Sequence, residues 1–279
     1  MHPRDLPDPA LSLPAALVET VVHEARGARL DTVPEEVPVA LAYNGIAHAV
    51  MLASPADLED FGLGFSLGEG ILAGAKELYD LELETGAAGV TIQMRIAEAR
   101  FAALKSRRRA LAGRTGCGLC GVESLAQVAR PLPPLAAGLT ITTTALRQAL
   151  AHLQAHQPLH ASTGGVHAAA WADRAGKVLA LREDVGRHNA LDKLIGALAR
   201  AGIDPGAGFA LVTSRASFEM AQKAVAAGIP ILAAVSAPTG YAIRLASEAG
   251  LCLAGFVREH RHVVYSHPQR IIEGGHPFP

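Results

Sequence analysis

Two cysteines, Cys117 and Cys120, sit in the run Thr115-Gly116-Cys117-Gly118-Leu119-Cys120-Gly121 and are the side chains best suited to covalent chemistry. One other cysteine occurs, Cys252, inside an apolar run at 251–257 that reads as a core strand. An odd, low count is no disulfide framework, so in a reducing compartment a close pair is metal-binding, redox-active or nucleophilic. A structural zinc needs four ligands, and no second Cys-x-x-Cys is present, although histidines from elsewhere in the chain are available. A dithiol redox site wants the pair at a helix start after the first strand of a thioredoxin-like βαβ. Residues 122–128 read as a helix, but an arginine-rich loop rather than a strand precedes the pair. Sulfur transfer needs a thiolate that attacks a donor persulfide and then offers the terminal sulfur to an acceptor. Gly116, Gly118 and Gly121 leave the loop unhindered for a partner, while helix-start amides and Arg114 favour the thiolate. The residues alone leave sulfur transfer and zinc level.

The elements that must position this loop follow from periodicity and turn chemistry. Residues 1–16 hold four prolines and are expected to lie loose on the surface. A first regular stretch covers 17–25. Asn44-Gly45 between apolar runs at 37–43 and 46–51 predicts a hairpin, because both central turn positions need positive φ. Ser54-Pro55-Ala56-Asp57 then predicts a helix start, with Ser54 as N-cap, Pro55 in the first turn and Asp57 at capping-box spacing, the helix running to about Leu72. Residues 79–84 and 89–96 alternate as strands, making 17–112 a smaller, strand-rich α+β domain. The cysteine loop, its helix and a linker at Pro131-Leu132-Pro133-Pro134 occupy 113–134.

Beyond the linker the pattern becomes α/β. A helix is expected at 144–155. Apolar runs at 166–171 and 177–181 are separated by the turn Asp173-Arg174-Ala175-Gly176. Residues 187–201 carry apolar positions at Ala190, Leu191, Leu194, Ile195 and Leu198, a helical stripe that leaves Lys193 facing solvent. Strands at 209–212, 230–235 and 251–257 alternate with helices at 217–227 and 241–249, closed by Gly228 and Gly250. This spacing predicts right-handed βαβ crossovers and a largely parallel sheet in a three-layer α/β/α domain spanning 135–279.

Composition narrows the function classes. The net charge of −1 offers no global positive field for nucleic acid or an acidic membrane, leaving Arg107-Arg108-Arg109 as a local basic patch. No apolar run has the length of a membrane span, and the proline-punctuated start lacks the order of a signal peptide, so a cytoplasmic location is expected. Aromatic residues are sparse and carry no functional message.

The run Gly113-Arg114-Thr115-Gly116-Cys117-Gly118-Leu119-Cys120-Gly121 resembles the signature of the formate dehydrogenase accessory sulfurtransferase family, FdhD. Further blocks agree in order: Glu36-Val37-Pro38, Ser54 to Phe61, Glu69-Gly70-Ile71, Ser162 to His167, Glu183 to Lys193, Thr213 to Met220, and Gly255-Phe256-Val257-Arg258. The resemblance covers roughly 34–272. It implies a sulfur carrier that accepts sulfur from a cysteine desulfurase as a persulfide. The sulfur then passes to the molybdenum (or tungsten) bis(molybdopterin guanine dinucleotide) cofactor before that cofactor enters formate dehydrogenase. Carried over by position, it implies Cys117 as the persulfide-bearing residue with Cys120 as its partner, and Phe256, Val257, Arg258, Glu259, His260 and Arg261 as the cofactor-binding segment. It also implies a C-terminal part resembling cytidine deaminase, a homodimer, and no permanently bound metal.

An acceptor with two diphosphates calls for cations and helix N-termini. Ser214, Arg215 and Ser217 lie where a strand hands over to a helix, with plain capping as the rival reading. Asp184, Arg187 and His188 concentrate polar groups ahead of an amphipathic helix. His167 follows a Ser162-Thr163-Gly164-Gly165 turn, and as a core histidine it needs no ligand. Pro238-Thr239-Gly240 is explained as well by capping as by binding. Two rivals for the whole chain remain. A zinc deaminase wants H-x-E upstream of P-C-x-x-C, whereas here the pair precedes His167 and the residue two beyond it is Ala169. A cofactor-binding chaperone with a structural-metal or redox Cys-x-x-Cys, and no sulfur transfer, is the alternative.

Overall fold

The computed structural model describes residues 13–25, 27–111, 132–136 and 138–274. Cys117, Cys120, Arg114 and the helix expected at 122–128 lie outside the described residues, as do the side chains of Arg107-Arg108-Arg109. An antiparallel ribbon, β1 (Leu17–Glu24) and β2 (Gly27–Pro34), leads into a four-stranded sheet. That sheet is ordered β4-β3-β6-β5 and is built from β3 (Val37–Tyr43), β4 (Ile46–Ala53), β5 (Leu78–Gly86) and β6 (Gly89–Ile96). The β3–β4 turn is the expected one, with Asn44 and Gly45 at φ of 46° and 80°. Alternation does the rest. Val39, Leu41, Tyr43, Ile92 and Met94 turn to one face and bury against Leu58 and Phe61 of α1 (Leu58–Gly68).

The start of α1 differs from expectation. Asp57, not Ser54, occupies the N-cap position, in a left-handed conformation and without a side-chain cap. Ser54 is fully buried and bonds to the far end of the chain instead, as described below. The helix stops at Gly68 rather than Leu72. Gly70 turns left-handed (φ 61°) and the N–H groups of Ile71 and Leu72 fold back on the Ser66 carbonyl. The arginine run, expected as loop, belongs instead to a helix, α2 (Glu98–Leu111).

The second half is built on a six-stranded sheet, ordered β13-β12-β11-β10-β8-β9. Its strands are β8 (His167–Asp173), β9 (Val178–Asp184), β10 (Gly208–Val212), β11 (Ile231–Ala234), β12 (Cys252–Arg258) and β13 (Arg261–Ser266). A short parallel pair, β7 (Ile141–Thr142) with β14 (Ile271–Ile272), lies apart from it. Helices α3 (Thr143–Ala155), α4 (Pro158–Thr163), α5 (Arg187–Ala201), α6 (Phe218–Ala226) and α7 (Gly240–Ala249) complete the order. Trp171, Val212, Leu232 and Leu253 pack under α5, α6 and α7, while Phe209, Leu211, Ile231 and Cys252 pack under α3. Helices therefore cover both faces. The sheet is less parallel than expected: β10, β11 and β12 run together and β9 points the same way, but β8 and β13 run against their neighbours. Tight turns at Asp173–Gly176 and Glu259-His260 join neighbouring strands, and a tight turn joins only antiparallel ones.

The two sheets are held together by α1 lying against α5. At the crossing the backbones nearly touch: a Cβ on Gly64 would stand 1.7 Å from the Asp192 carbonyl oxygen, and one on Gly196 1.9 Å from that of Asp60. Buried ions border the crossing. Asp60 pairs with Arg182 (2.7 Å) and Arg200 (3.0 Å). Lys223 reaches Glu69 (2.7 Å) and Asp192 (3.0 Å). One ammonium thus serves two carboxylates, and burial pushes the Asp192 carboxyl up to about 6. Gly64→Ala is expected to cost about 1–3 kcal/mol or more, because the clash is with backbone that cannot rotate away. A urea midpoint checks it against Gly74→Ala, whose Cβ would meet nothing within 4 Å. Equal midpoints would mean the helices separate freely.

Candidate functional site

The C-terminal ends of β10, β11 and β12 share one edge of the sheet with the start of β8 and the end of β9. Every described residue expected to bind cofactor lies along this edge. In open α/β sheets this is where ligands settle, since the loops there are free to diverge.

At one end β9 closes on Asp184 and α5 begins at Arg187. Asp184 is fully buried and its carboxylate is saturated. Oδ1 accepts from the Gly186 N–H (2.7 Å) and Asn189 Nδ2 (2.9 Å); Oδ2 accepts from the Ser54 N–H (3.0 Å) and pairs with Lys193 Nζ at 2.6 Å. Lys193, expected to face solvent, is also fully buried and donates to the Ser54 carbonyl (2.9 Å). Asp184 is therefore a structural acid, unable to contact a ligand directly. The Ser54 hydroxyl accepts from the Val185 N–H at 3.2 Å, and Asn189 Nδ2 also donates to the Leu52 carbonyl at 2.8 Å.

These bonds leave the first turn of α5 open. Gly186 provides no side-chain cap. Arg187 lies at the first helical position, and its Nε is buried with no hydrogen-bond partner among the described residues. A buried donor without an acceptor is costly and marks a place where a ligand acceptor would be favourable. His188 points Nε2 at Glu219 (2.8 Å) and Ser217 (3.3 Å). That contact holds the Glu219 carboxyl below its usual range. His167, half-buried at the start of β8, is held below the usual imidazole range by burial first, then by the positive fields of Arg187, His160 and His188.

In the middle of the edge, Thr213 ties the end of β10 to β8 by accepting from the Ala168 N–H at 2.9 Å. Ser214 is buried and its hydroxyl donates to the Arg215 carbonyl, so it is not offered to a ligand. The Arg215 side chain is exposed and has no carboxylate partner among the described residues. Ser217 occupies the N-cap position of α6 but does not cap it; its hydroxyl meets His188 instead. Thr239, by contrast, caps α7 by accepting from Ala242, which accounts for Pro238-Thr239-Gly240 without a ligand.

At the other end, Phe256 is exposed and left-handed (φ 53°) on an irregular stretch of the β12–β13 pair. A bulky residue in that conformation is strained, and such strain gathers at functional sites. Its N–H donates to the Ser236 carbonyl, and the Arg261 guanidinium stands 5.9 Å from its ring. Arg258 donates to the carbonyls of Val235 and Val257. Glu259 and His260 form the exposed turn. Val257 is buried in the core below α3, so its side chain contributes packing and not contact.

The edge thus gathers guanidinium groups, imidazoles and two helix starts without side-chain caps, with Glu219 as an acid engaged by His188. Its exposed and uncapped donors are of a kind that suits an anion; among the described residues no group of three or more His, Cys, Asp or Glu is arranged to hold a metal. Sequence reasoning missed His160 and Glu219. Glu219 stood inside the Thr213–Met220 block, while nothing local marked His160, whose influence on His167 exists only in the folded chain.

A model of the FdhD/NarQ family matches residues 34–272, which is most of the chain and includes this whole edge. The chain belongs to the FdhD/NarQ family. Two relatives fix how close this FdhD/NarQ chain lies to studied sequences. It is 58% identical over 241 residues to the sulfur carrier protein FdhD of Variovorax paradoxus, covering 86% of this chain and 87% of that one. It is 58% identical over 265 residues to the protein of the same name from Xanthomonas euvesicatoria, covering 94% of each. The fold is shared with the crystal structure of a protein of Desulfotalea psychrophila described as a formate dehydrogenase accessory protein. There the TM-score is 0.71 at 24% identity, over 92% of this chain and 98% of that one. No helix among the described residues of this FdhD/NarQ chain is long and apolar enough to cross a membrane.

Proposed function

We propose that this protein is the sulfur carrier for a formate dehydrogenase. In this reading the Cys117 thiolate attacks the outer sulfur of a cysteine desulfurase persulfide, which releases the desulfurase thiolate and leaves a persulfide on Cys117. The sulfur then goes to the molybdenum bis(molybdopterin guanine dinucleotide) cofactor, the acceptor substrate, before that cofactor enters the dehydrogenase. Sulfide is two electrons more reduced than persulfide sulfur. Cys120 supplies the balance: its thiolate attacks Cys117 Sγ, the terminal sulfur departs as sulfide, and a Cys117–Cys120 disulfide remains.

The observation that carries the acceptor half is the sheet edge itself. Two open helix starts, α5 and α6, stand beside Arg187 with its unpartnered Nε and the exposed Arg215. Diphosphate oxygens would satisfy those donors, and guanidinium groups suit them through paired hydrogen bonds. Phe256 and Arg261 at the far end would take a planar guanine. The names of the relatives support the sulfur half.

The test is mass spectrometry after incubation with a cysteine desulfurase and cysteine. The protein is expected to gain one sulfur atom on the peptide containing Cys117 and Cys120. No gain on that peptide would overturn the carrier reading. GDP serves as the probe for the acceptor edge. It is expected to raise the melting temperature, and Arg187→Met to remove that rise; an unshifted wild type would overturn the edge as the nucleotide site.

A further inference from the structure

The first half of the chain meets the Val185–His188 turn just beyond β4. That place is Ser54, together with the Leu52 carbonyl. We propose that Ser54 and Asn189 are positioning residues: through them the first sheet sets the Val185–His188 turn, and so the aim of Arg187 and the open amides of α5 at the ligand. The inference rests on the anion-binding role of that helix start proposed above, and goes beyond it by assigning residues that never touch the ligand.

The geometry is specific. A turn entering a helix leaves its first N–H groups to be claimed by side chains or by a ligand. Here the claims are divided cleanly. The Val185 N–H goes to the Ser54 hydroxyl and the Gly186 N–H to Asp184, while Gly186 leaves the helix start beyond them without a side-chain cap. Asn189 grips both sides of the joint, donating to Asp184 within its own half and to the Leu52 carbonyl of the other half, 137 residues away in sequence. Gly186 has no room to yield: a Cβ there would stand 2.8 Å from Asn189 Nδ2 and 3.3 Å from Asp184 Oδ1. The turn therefore has one arrangement while the joint is closed. A ligand-binding turn held by buried partners from a different sheet is pre-organised, which lowers the ordering cost of binding.

The joint is separate from the other ionic contacts between the halves. Asp60 with Arg182 and Arg200 also bridges α1 to the second half, but none of its bonds reaches the Val185–His188 turn. Asp60→Asn is thus a control that loosens the same junction without touching the turn.

Four proteins are compared: wild type, Ser54→Ala, Asn189→Ala and Asp60→Asn. The readouts are GDP affinity by calorimetry, melting temperature, and amide exchange of residues 185–190. Ser54→Ala and Asn189→Ala are expected to weaken GDP binding about fivefold or more, as loss of a buried hydrogen-bond partner implies. Exchange at Val185 and Gly186 should accelerate in both while the fold stays intact. Asp60→Asn should lower the melting temperature yet keep wild-type affinity and wild-type exchange in the turn. The inference is overturned if Ser54→Ala and Asn189→Ala bind GDP as wild type does. It is equally overturned if all three variants lose affinity in proportion to their melting temperatures. A wild type that binds no GDP would instead overturn the nucleotide reading on which the inference rests, so the two failures are told apart.

Discussion

Cys117→Ala is expected to take up no sulfur from a cysteine desulfurase and to leave formate dehydrogenase inactive in cells, whereas Cys120→Ala should load normally and fail to unload. The asymmetry follows from electron counting. Loading is a transfer of sulfane sulfur between thiolates and needs one nucleophile. Unloading as sulfide needs two electrons, which the second thiol donates by closing a disulfide. Mass spectrometry of the peptide containing both residues reads the difference directly. The wild type passes from persulfide to disulfide when an acceptor is present and loads again only after a dithiol reductant reopens the disulfide, whereas Cys120→Ala stays in the persulfide form until an external thiol is added. Loading of Cys117→Ala on Cys120 would reverse the roles. A Cys120→Ala variant that supports full dehydrogenase activity would show that the second thiol is not the electron source.

Lys193→Met should be the most damaging single change among the buried ions, lowering the unfolding free energy by about 3–5 kcal/mol. The lysine and its partner Asp184 are both fully buried at 2.6 Å. Removing the ammonium leaves a carboxylate with three remaining neutral donors and no counter-charge. Urea midpoints of the variant and the wild type check the loss. A variant as stable as the wild type would mean that the buried pair adds nothing to the fold.

These two residues also show where the sequence was readable. The helix at 187–201 was legible to the residue, because its apolar positions recur with helical period and Gly202 ends it in a left-handed conformation. Its environment was not. The stripe at Ala190, Leu191, Leu194, Ile195 and Leu198 implies an opposite wet face, and Lys193 falls on it. In the structure Asn189 to Leu198 are all buried, since α5 is covered by the sheet on one side and α1 on the other. A local window cannot see a second covering layer, nor a serine and an aspartate that meet across 130 residues. Ser54 failed for the same reason. Its capping pattern was correct in residue types, but a long-range donor, the Val185 amide, had the stronger claim on the hydroxyl.

The candidate edge was legible where residue chemistry is concentrated locally. Arg187, His188, His167, Arg215, Ser217 and the 256–261 turn all fall along it. Asp184, Ser214 and Val257 share the same short segments, yet the fold turns them inward, where they build the scaffold instead. Adjacent residues on a strand point to opposite sides, so a contiguous motif always carries scaffold and surface together. The mixed strand directions could have been anticipated from the Asp173–Gly176 turn, which is too short for a crossover.

The contact of α1 with α5 has a consequence for how the chain is made. Residues 58–68 leave the ribosome well before 187–201, and until the later segments arrive the face of α1 at Gly64 and Gly68 has nothing to lie against. Contacts so distant in sequence are late and slow to form. The nascent first half therefore carries an unfinished apolar surface through most of synthesis, the state in which chains most need a chaperone.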